Sequence, residues 1–184
     1  QIQAFLERNP IYLPGALTPG NPSGHAPLHF AAISQPKLPG LSSKIPDFMW
    51  VATHSGAWFP TLIEIERPSK PIFRKDGVPT AEFTQARNQL AQWRTWFNEP
   101  ENVLQFIQSY DIPDLFKKYR KMQLHMILIY GRRSEFSADP ELSKHRSTLL
   151  PGADEELMSF DRLHPNPTLN DAITVRADGT RKYR

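Results

Sequence analysis

Apolar residues recur at spacings of three and four over 80–97, where Phe83, Ala86, Leu90, Trp93 and Phe97 form one stripe. That period predicts an amphipathic helix. Thr80, after Pro79, suits the N-cap, and Glu82 puts a negative charge in the first turn, where the helix dipole favours it. A second helix is predicted over 100–110 from Val103, Leu104, Phe106 and Ile107, and shorter ones over 112–121 and 139–149. Residues 2–8 read as the end of a helix stopped by Asn9-Pro10. Strands follow a different pattern. Residues 29–33, 47–52 and 58–67 are apolar runs, and the last two flank a turn at His54-Ser55-Gly56-Ala57, a hairpin signal. Pro68 ends the third run because it has no ladder N–H. The nearly continuous apolar run 124–131 predicts a strand buried on both faces. A short strand over 157–160, a last helical turn capped by Asp161 and an edge strand over 173–175 complete the chain. Residues 11–24 and 36–46 read as loops. The order predicts a mixed sheet flanked by helices, a single α/β domain over 1–184.

The 184 residues suffice for one domain with a full core. No apolar run reaches the roughly 20 residues of a membrane span. The start, Gln1-Ile2-Gln3-Ala4-Phe5, lacks the basic and apolar regions of a secretory leader. Because it opens on Gln rather than Met, the expectation is a piece of a longer protein; a chain without cysteine is compatible with a cytoplasmic one. The absence of cysteine excludes disulfides, zinc–thiolate sites and thiol catalysis in this segment. There is no phosphate-cradling glycine loop, no dinucleotide fingerprint and no defensible Ser-His-Asp order. The net charge of +3 permits nucleic acid binding without requiring it. Its local pattern says more: Lys117-Lys118-Tyr119-Arg120-Lys121, Arg132-Arg133 and the tail with Arg176, Arg181, Lys182 and Arg184 are basic. Each cluster alone fits a solvated face; together, beside acidic residues, they suit phosphate contacts.

The chemistry centres on Ile63-Glu64-Ile65-Glu66. Alternation on a strand turns Glu64 and Glu66 to the same face as Leu62. Two carboxylates there need pairing, water or a metal. A hard cation such as Mg²⁺ or Mn²⁺ takes one or two carboxylates plus water and phosphate, and Asp47, opening the neighbouring strand, supplies the second. Pairing with surface Arg or Lys satisfies the same pattern, so spacing admits both readings. Trp93 and Trp96 read as core and rim, with base stacking open to one of them. His125 reads as a hydrogen-bonded core residue. The aromatic and proline-rich segments within 36–60 offer an assembly interface as a further reading.

Several stretches, in order, resemble the C-terminal nuclease domain of the Shedu anti-phage defence family, with the PD-(D/E)XK restriction-endonuclease-like fold. They are Phe5-Leu6-Glu7-Arg8-Asn9-Pro10, Pro46-Asp47-Phe48, Ile63-Glu64-Ile65-Glu66-Arg67-Pro68, Pro79 through Trp93, Ile129-Tyr130-Gly131-Arg132 and Met158-Ser159-Phe160-Asp161-Arg162-Leu163. The resemblance implies a metal-dependent endodeoxyribonuclease that acts on double-stranded, phage-derived DNA and self-associates. It assigns Asp47 and Glu64 to the metal, Mg²⁺ or Mn²⁺. Glu7 becomes the helix-borne acidic residue, and Gln85 and Gln89 the glutamine motif facing the centre. The departure is Glu66, where the family pattern expects a lysine that positions the attacking water and offsets developing charge. An introduced, inactivating substitution, a natural loss of cleavage with binding kept, and another cation in the lysine's role are all consistent with it. By spacing, Arg67 faces away, Lys70 lies beyond Pro68, Lys44 and His54 flank the neighbouring strand and Arg87 lies on the helix. Glu66 itself then adds to the catalytic set or to the metal ligands.

Overall fold

The computed structural model describes residues 2–17, 24–41, 45–54, 56–110, 121–137, 139–149 and 151–176. Its strands are β1 (Ala31–Ser34), β2 (Phe48–His54), β3 (Ala57–Ile65), β4 (Lys121–Met122), β5 (His125–Ile129), β6 (Glu155–Met158) and β7 (Ile173–Arg176). They form one seven-stranded sheet in the order β6-β5-β3-β2-β1-β7, with β4 beside β3. β2 pairs antiparallel with β1 and β3, whereas β3–β5, β5–β6 and β1–β7 are parallel. β5 is buried along its whole length, as its unbroken apolar run requires of a strand between two others under helices.

Alternation divides the sheet residues between two cores. Met49, Leu62, Met126 and Leu128 pack with Phe83, Leu90 and Trp93 from helix α2 (Ala81–Asn98) and with Phe106 from α3 (Pro100–Ser109). On the opposite face, Phe48, Trp50, Ile63, Ile127 and Ile129 pack with Leu6 from α1 (Ile2–Arg8), Leu13 and Leu169. The whole predicted stripe of α2 is buried. Thr80 caps that helix, its Oγ1 accepting from Phe83 N at 3.2 Å and donating to the Pro71 carbonyl at 2.9 Å. Thr80→Ala is expected to cost about 1–2 kcal/mol, read as a lower urea midpoint with an unchanged slope.

Pro60 lies inside β3, a position that usually excludes proline. The neighbouring Trp58 carbonyl accepts from Gln123 N, so even-numbered residues of β3 aim their amides at the β4–β5 side. There β4 pairs at Ala57 and Trp58, and β5 begins pairing only at Thr61. The missing N–H falls in that gap.

Several expectations change. Residues 29–33 are not one strand: Leu28–Phe30 is a 3-10 turn in which His29 (φ 55) and Phe30 (φ 50) are left-handed, and the strand starts at Ala31. The third strand stops at Ile65 rather than 67, although Glu66 N still bonds the Ile129 carbonyl at 3.0 Å. Asp161 does not cap the turn Phe160–Arg162; its carboxylate accepts from Arg133 N at 2.6 Å. Two short elements went unpredicted, β4 and helix α4 (Ser134–Ser137), which precedes α5 (Pro140–Thr148). The helix expected over 112–121 lies outside the described residues except for Lys121, which opens β4. Phe48, Trp50, Trp58 and Phe59 are buried in the sheet centre, so those aromatics form no exposed interface. Among the described residues, no helix is long and apolar enough to cross a membrane.

Candidate metal centre

The hairpin β2–β3 opens at its base, and Asp47 sits one residue before β2. Its N–H donates to the Ile63 carbonyl at 3.0 Å, its carbonyl accepts from Gln35 N at 2.9 Å, and its Oδ2 accepts from Ile65 N at 2.8 Å. The carboxylate thus replaces the ladder acceptor that β2 no longer supplies beyond Phe48. Gln35 reaches its position with a left-handed backbone, φ 50, a local strain of a kind that clusters near functional sites.

Glu64 stands opposite Leu128 of β5 and shares the α2-facing side of β3 with buried Leu62. Gln89, on the inner flank of α2, hydrogen-bonds its carboxyl group. The other oxygen, Oε2, is buried and has no hydrogen-bond partner among the described residues. Buried carboxyl oxygens are rarely left unmet, because the desolvation is then uncompensated. Burial, followed by the charges of Asp47 and Glu66, pushes the Glu64 carboxyl up to about 9; Gln89 and Lys70 oppose the rise. Burial likewise raises Asp47 to about 6, with Glu66 adding and the Ile65 amide opposing. Asp47 acts electrostatically on Glu64, and the two follow one another across the base of the hairpin, Asp47 N bonding the carbonyl of Ile63 beside Glu64.

The remaining candidates are placed unequally. Glu66 joins the carboxylate group electrostatically, but its Oε2 is paired with Lys70 Nζ at 2.6 Å. Gln89 faces the centre, whereas Gln85, one turn earlier, is exposed on α2. Glu7 is engaged elsewhere: it accepts from Ser34 Oγ at 2.6 Å and pairs with Arg176 at 3.1 Å. Ser34 is the β1 neighbour of Phe48, so Glu7 buttresses the strand beside Asp47. Among the described residues, no three carboxylates or imidazoles converge on one point. Asp47 and Glu64 are the two carboxylates that could hold a cation here, with water and substrate filling its other positions. That donor set, with its orphaned buried oxygen, fits a hard divalent cation such as Mg²⁺ or Mn²⁺.

Sequence reasoning set Lys70 aside because it lies past the strand-ending Pro68. The missed signal is the turn at Arg67-Pro68-Ser69-Lys70, where Lys70 N bonds the Arg67 carbonyl at 3.1 Å and returns the lysine to the carboxylates. Of the other cations weighed, Arg87 pairs with Glu155 at 3.4 Å, and His54 ends β2 far from Asp47, packed on Phe59; Lys44 lies outside the described residues. Trp93 and Trp96 are both buried, and Trp96 Nε1 donates to the Pro39 carbonyl at 2.9 Å, so neither is open to a base. His125 is buried, and burial lowers its pKa against the pull of Glu156 and Asp154. Arg132 pairs with Asp161 at 3.4 Å and stands over the Phe160 ring; Arg133 is exposed beside it. Residues 117–120 of the first basic cluster and the tail beyond 176 lie outside the described residues.

Comparison with known proteins gives one result. The family model described as Shedu protein SduA, C-terminal, matches residues 1–164. No curated protein and no solved structure matches significantly.

Proposed function

As the chain belongs to the SduA C-terminal family, a family of anti-phage defence proteins, we propose that it is a DNA endonuclease domain of the PD-(D/E)XK type. In this reading Asp47 and Glu64 hold one divalent cation. The observation that carries it is the buried, unpartnered Oε2 of Glu64 beside a second carboxylate. A divalent cation bound there would polarise the phosphate and lower the pKa of a coordinated water. Water oxygen then attacks phosphorus, the bond to one sugar oxygen breaks, and that oxygen takes a proton as the water loses one. Gln89 orients Glu64. Asp47, tied by three hydrogen bonds, keeps its distance from Glu64 fixed, which supports catalysis through positioning. Arg132 and Arg133, on the same end of the sheet as the residues following β5, are suited to DNA phosphates.

The test is incubation of supercoiled plasmid with the chain in Mg²⁺, in Mn²⁺ and in chelator. Nicked or linear product in metal alone is the expected result. A second reading rests on Glu66, a carboxylate where a lysine is expected: the domain binds DNA and does not cut it. Salt-sensitive DNA binding with intact plasmid under both metals would establish that reading instead.

A further inference from the structure

Hydrolysis of a phosphodiester builds negative charge at the phosphorus oxygens. Glu66 acts electrostatically on Asp47, and Asp47 and Glu66 both act on Glu64; the reading above assigns the cation to Asp47 and Glu64. Such a centre needs a positive group of its own in addition to any cation. Lys70 Nζ lies 2.6 Å from Glu66 Oε2, and it acts electrostatically on Glu64 as well. The pair is partly shielded, with side-chain exposures of 31% and 23%.

The loop that presents Lys70 is fixed along its length. Glu135 of α4 accepts from Ile72 N at 2.8 Å and from Phe73 N at 3.0 Å. Thr80 bonds Pro71 and Ile72, the latter through its own N–H at 2.8 Å to the Ile72 carbonyl. On the other side, Gly131 has φ +65, and a Cβ there would stand 3.2 Å from the Lys70 carbonyl oxygen. Glycine at 131 lets the backbone after β5 approach this loop closely. These contacts fix the backbone on the C-terminal side of Lys70, so that its side chain starts from a set position when it pairs with Glu66.

We infer that Lys70 is the cation of this centre, delivered from the loop after β3 rather than from the strand, and that Glu66 positions it. The inference rests on the nuclease reading above and deepens it. Glu66 is then neither a defect nor a metal ligand; it is the anchor for a lysine displaced by four residues in sequence.

The experiment compares the wild-type chain with Lys70→Ala, with the double variant Glu66→Lys/Lys70→Ala and with Asp47→Asn. Circular dichroism confirms folding, calorimetric titration gives Mn²⁺ affinity, and plasmid cleavage gives the rate. Lys70→Ala is expected to bind Mn²⁺ at least about threefold more tightly, since a repelling charge is gone, and to cut at least about 100-fold more slowly. The double variant, with lysine returned to the strand, is expected to recover cleavage to within about tenfold of wild type. Cleavage by Lys70→Ala at the wild-type rate overturns the inference. So does an Mn²⁺ affinity that responds to Asp47→Asn but not to Lys70→Ala, or a loss that the double variant fails to restore. A wild-type chain that takes up Mn²⁺ and cuts nothing contradicts it too. Equal Mn²⁺ affinity in wild type and Asp47→Asn removes the metal centre itself, and the inference with it.

Discussion

Asp47→Asn and Glu64→Gln are each expected to abolish metal-dependent cleavage, by on the order of 10³-fold, while the chain stays folded. Both replacements keep shape and hydrogen-bonding capacity. The amide introduced by Asp47→Asn retains an oxygen for the Ile65 N–H, and the one introduced by Glu64→Gln still meets Gln89. What disappears is the negative charge that holds a cation. A bound metal contributes several kcal/mol of transition-state charge stabilisation, and about 1.4 kcal/mol is a factor of ten in rate. The loss should exceed that of Gln85→Ala, which alters an exposed side chain. Initial rates of supercoiled plasmid conversion, normalised to folded protein, measure it. Cleavage retained within about tenfold by both variants would remove Asp47 and Glu64 from the centre.

The second large effect is on stability, and it runs with pH. Asp47 and Glu64 both have pKa values in the folded chain above the ordinary carboxyl values, at about 6 and about 9. The folded chain therefore holds more protons than the unfolded one between roughly pH 4 and 9, and stability falls as pH rises through that window. The contribution is complete below the unfolded pKa and is lost first through Asp47 near 6, then through Glu64 near 9. The melting temperature is expected to drop by several degrees from pH 5 to 9 without metal, since about 1 kcal/mol moves it by roughly 2–4 °C in a chain of this size. Glu64→Gln should flatten the upper part of that slope and stabilise the chain at pH 8 by about 1–3 kcal/mol once partial exposure is discounted, with a higher melting temperature there. Mn²⁺ should do the same for the wild type, because binding requires both carboxylates ionised, releases protons and stabilises the folded state. Scanning calorimetry at matched ionic strength across the range decides it. A melting temperature that rises from pH 5 to 9, or one equally pH-dependent in Glu64→Gln, would contradict the assignment of Glu64 as a buried carboxyl with a raised pKa.

Much of the sheet and of α2 was legible because one local signal carried each. The 3.6-residue stripe of Phe83, Ala86, Leu90, Trp93 and Phe97 has a single solution. The unbroken apolar run of β5 suits only a strand covered on both faces. The side of β3 that Glu64 shares with Leu62 was legible because side chains on a strand alternate. The failures have other causes, a partner distant in sequence or a backbone conformation that side chains do not encode. Asp161 has the chemistry of a helix cap, yet the Arg133 amide, 28 residues away, takes its carboxylate. His29 and Phe30 have strand-like side chains, but their backbone is left-handed, a choice that side-chain alternation does not encode. Glu7 was assigned by resemblance alone, and its contacts with Ser34 and Arg176 are ones that no spacing in the sequence shows. Lys70 illustrates the point most sharply. Counted along a strand it is out of reach, and only the turn at Pro68 and the remote clasp of Glu135 return it to Glu66.

The most direct measurement is anomalous diffraction from a crystal of the chain soaked in Mn²⁺. One peak within about 2.5 Å of both an Asp47 and a Glu64 carboxylate oxygen is the expected result, with Glu66 still turned to Lys70. A peak elsewhere, or none at a concentration that supports cleavage, would contradict a metal centre built on these two residues.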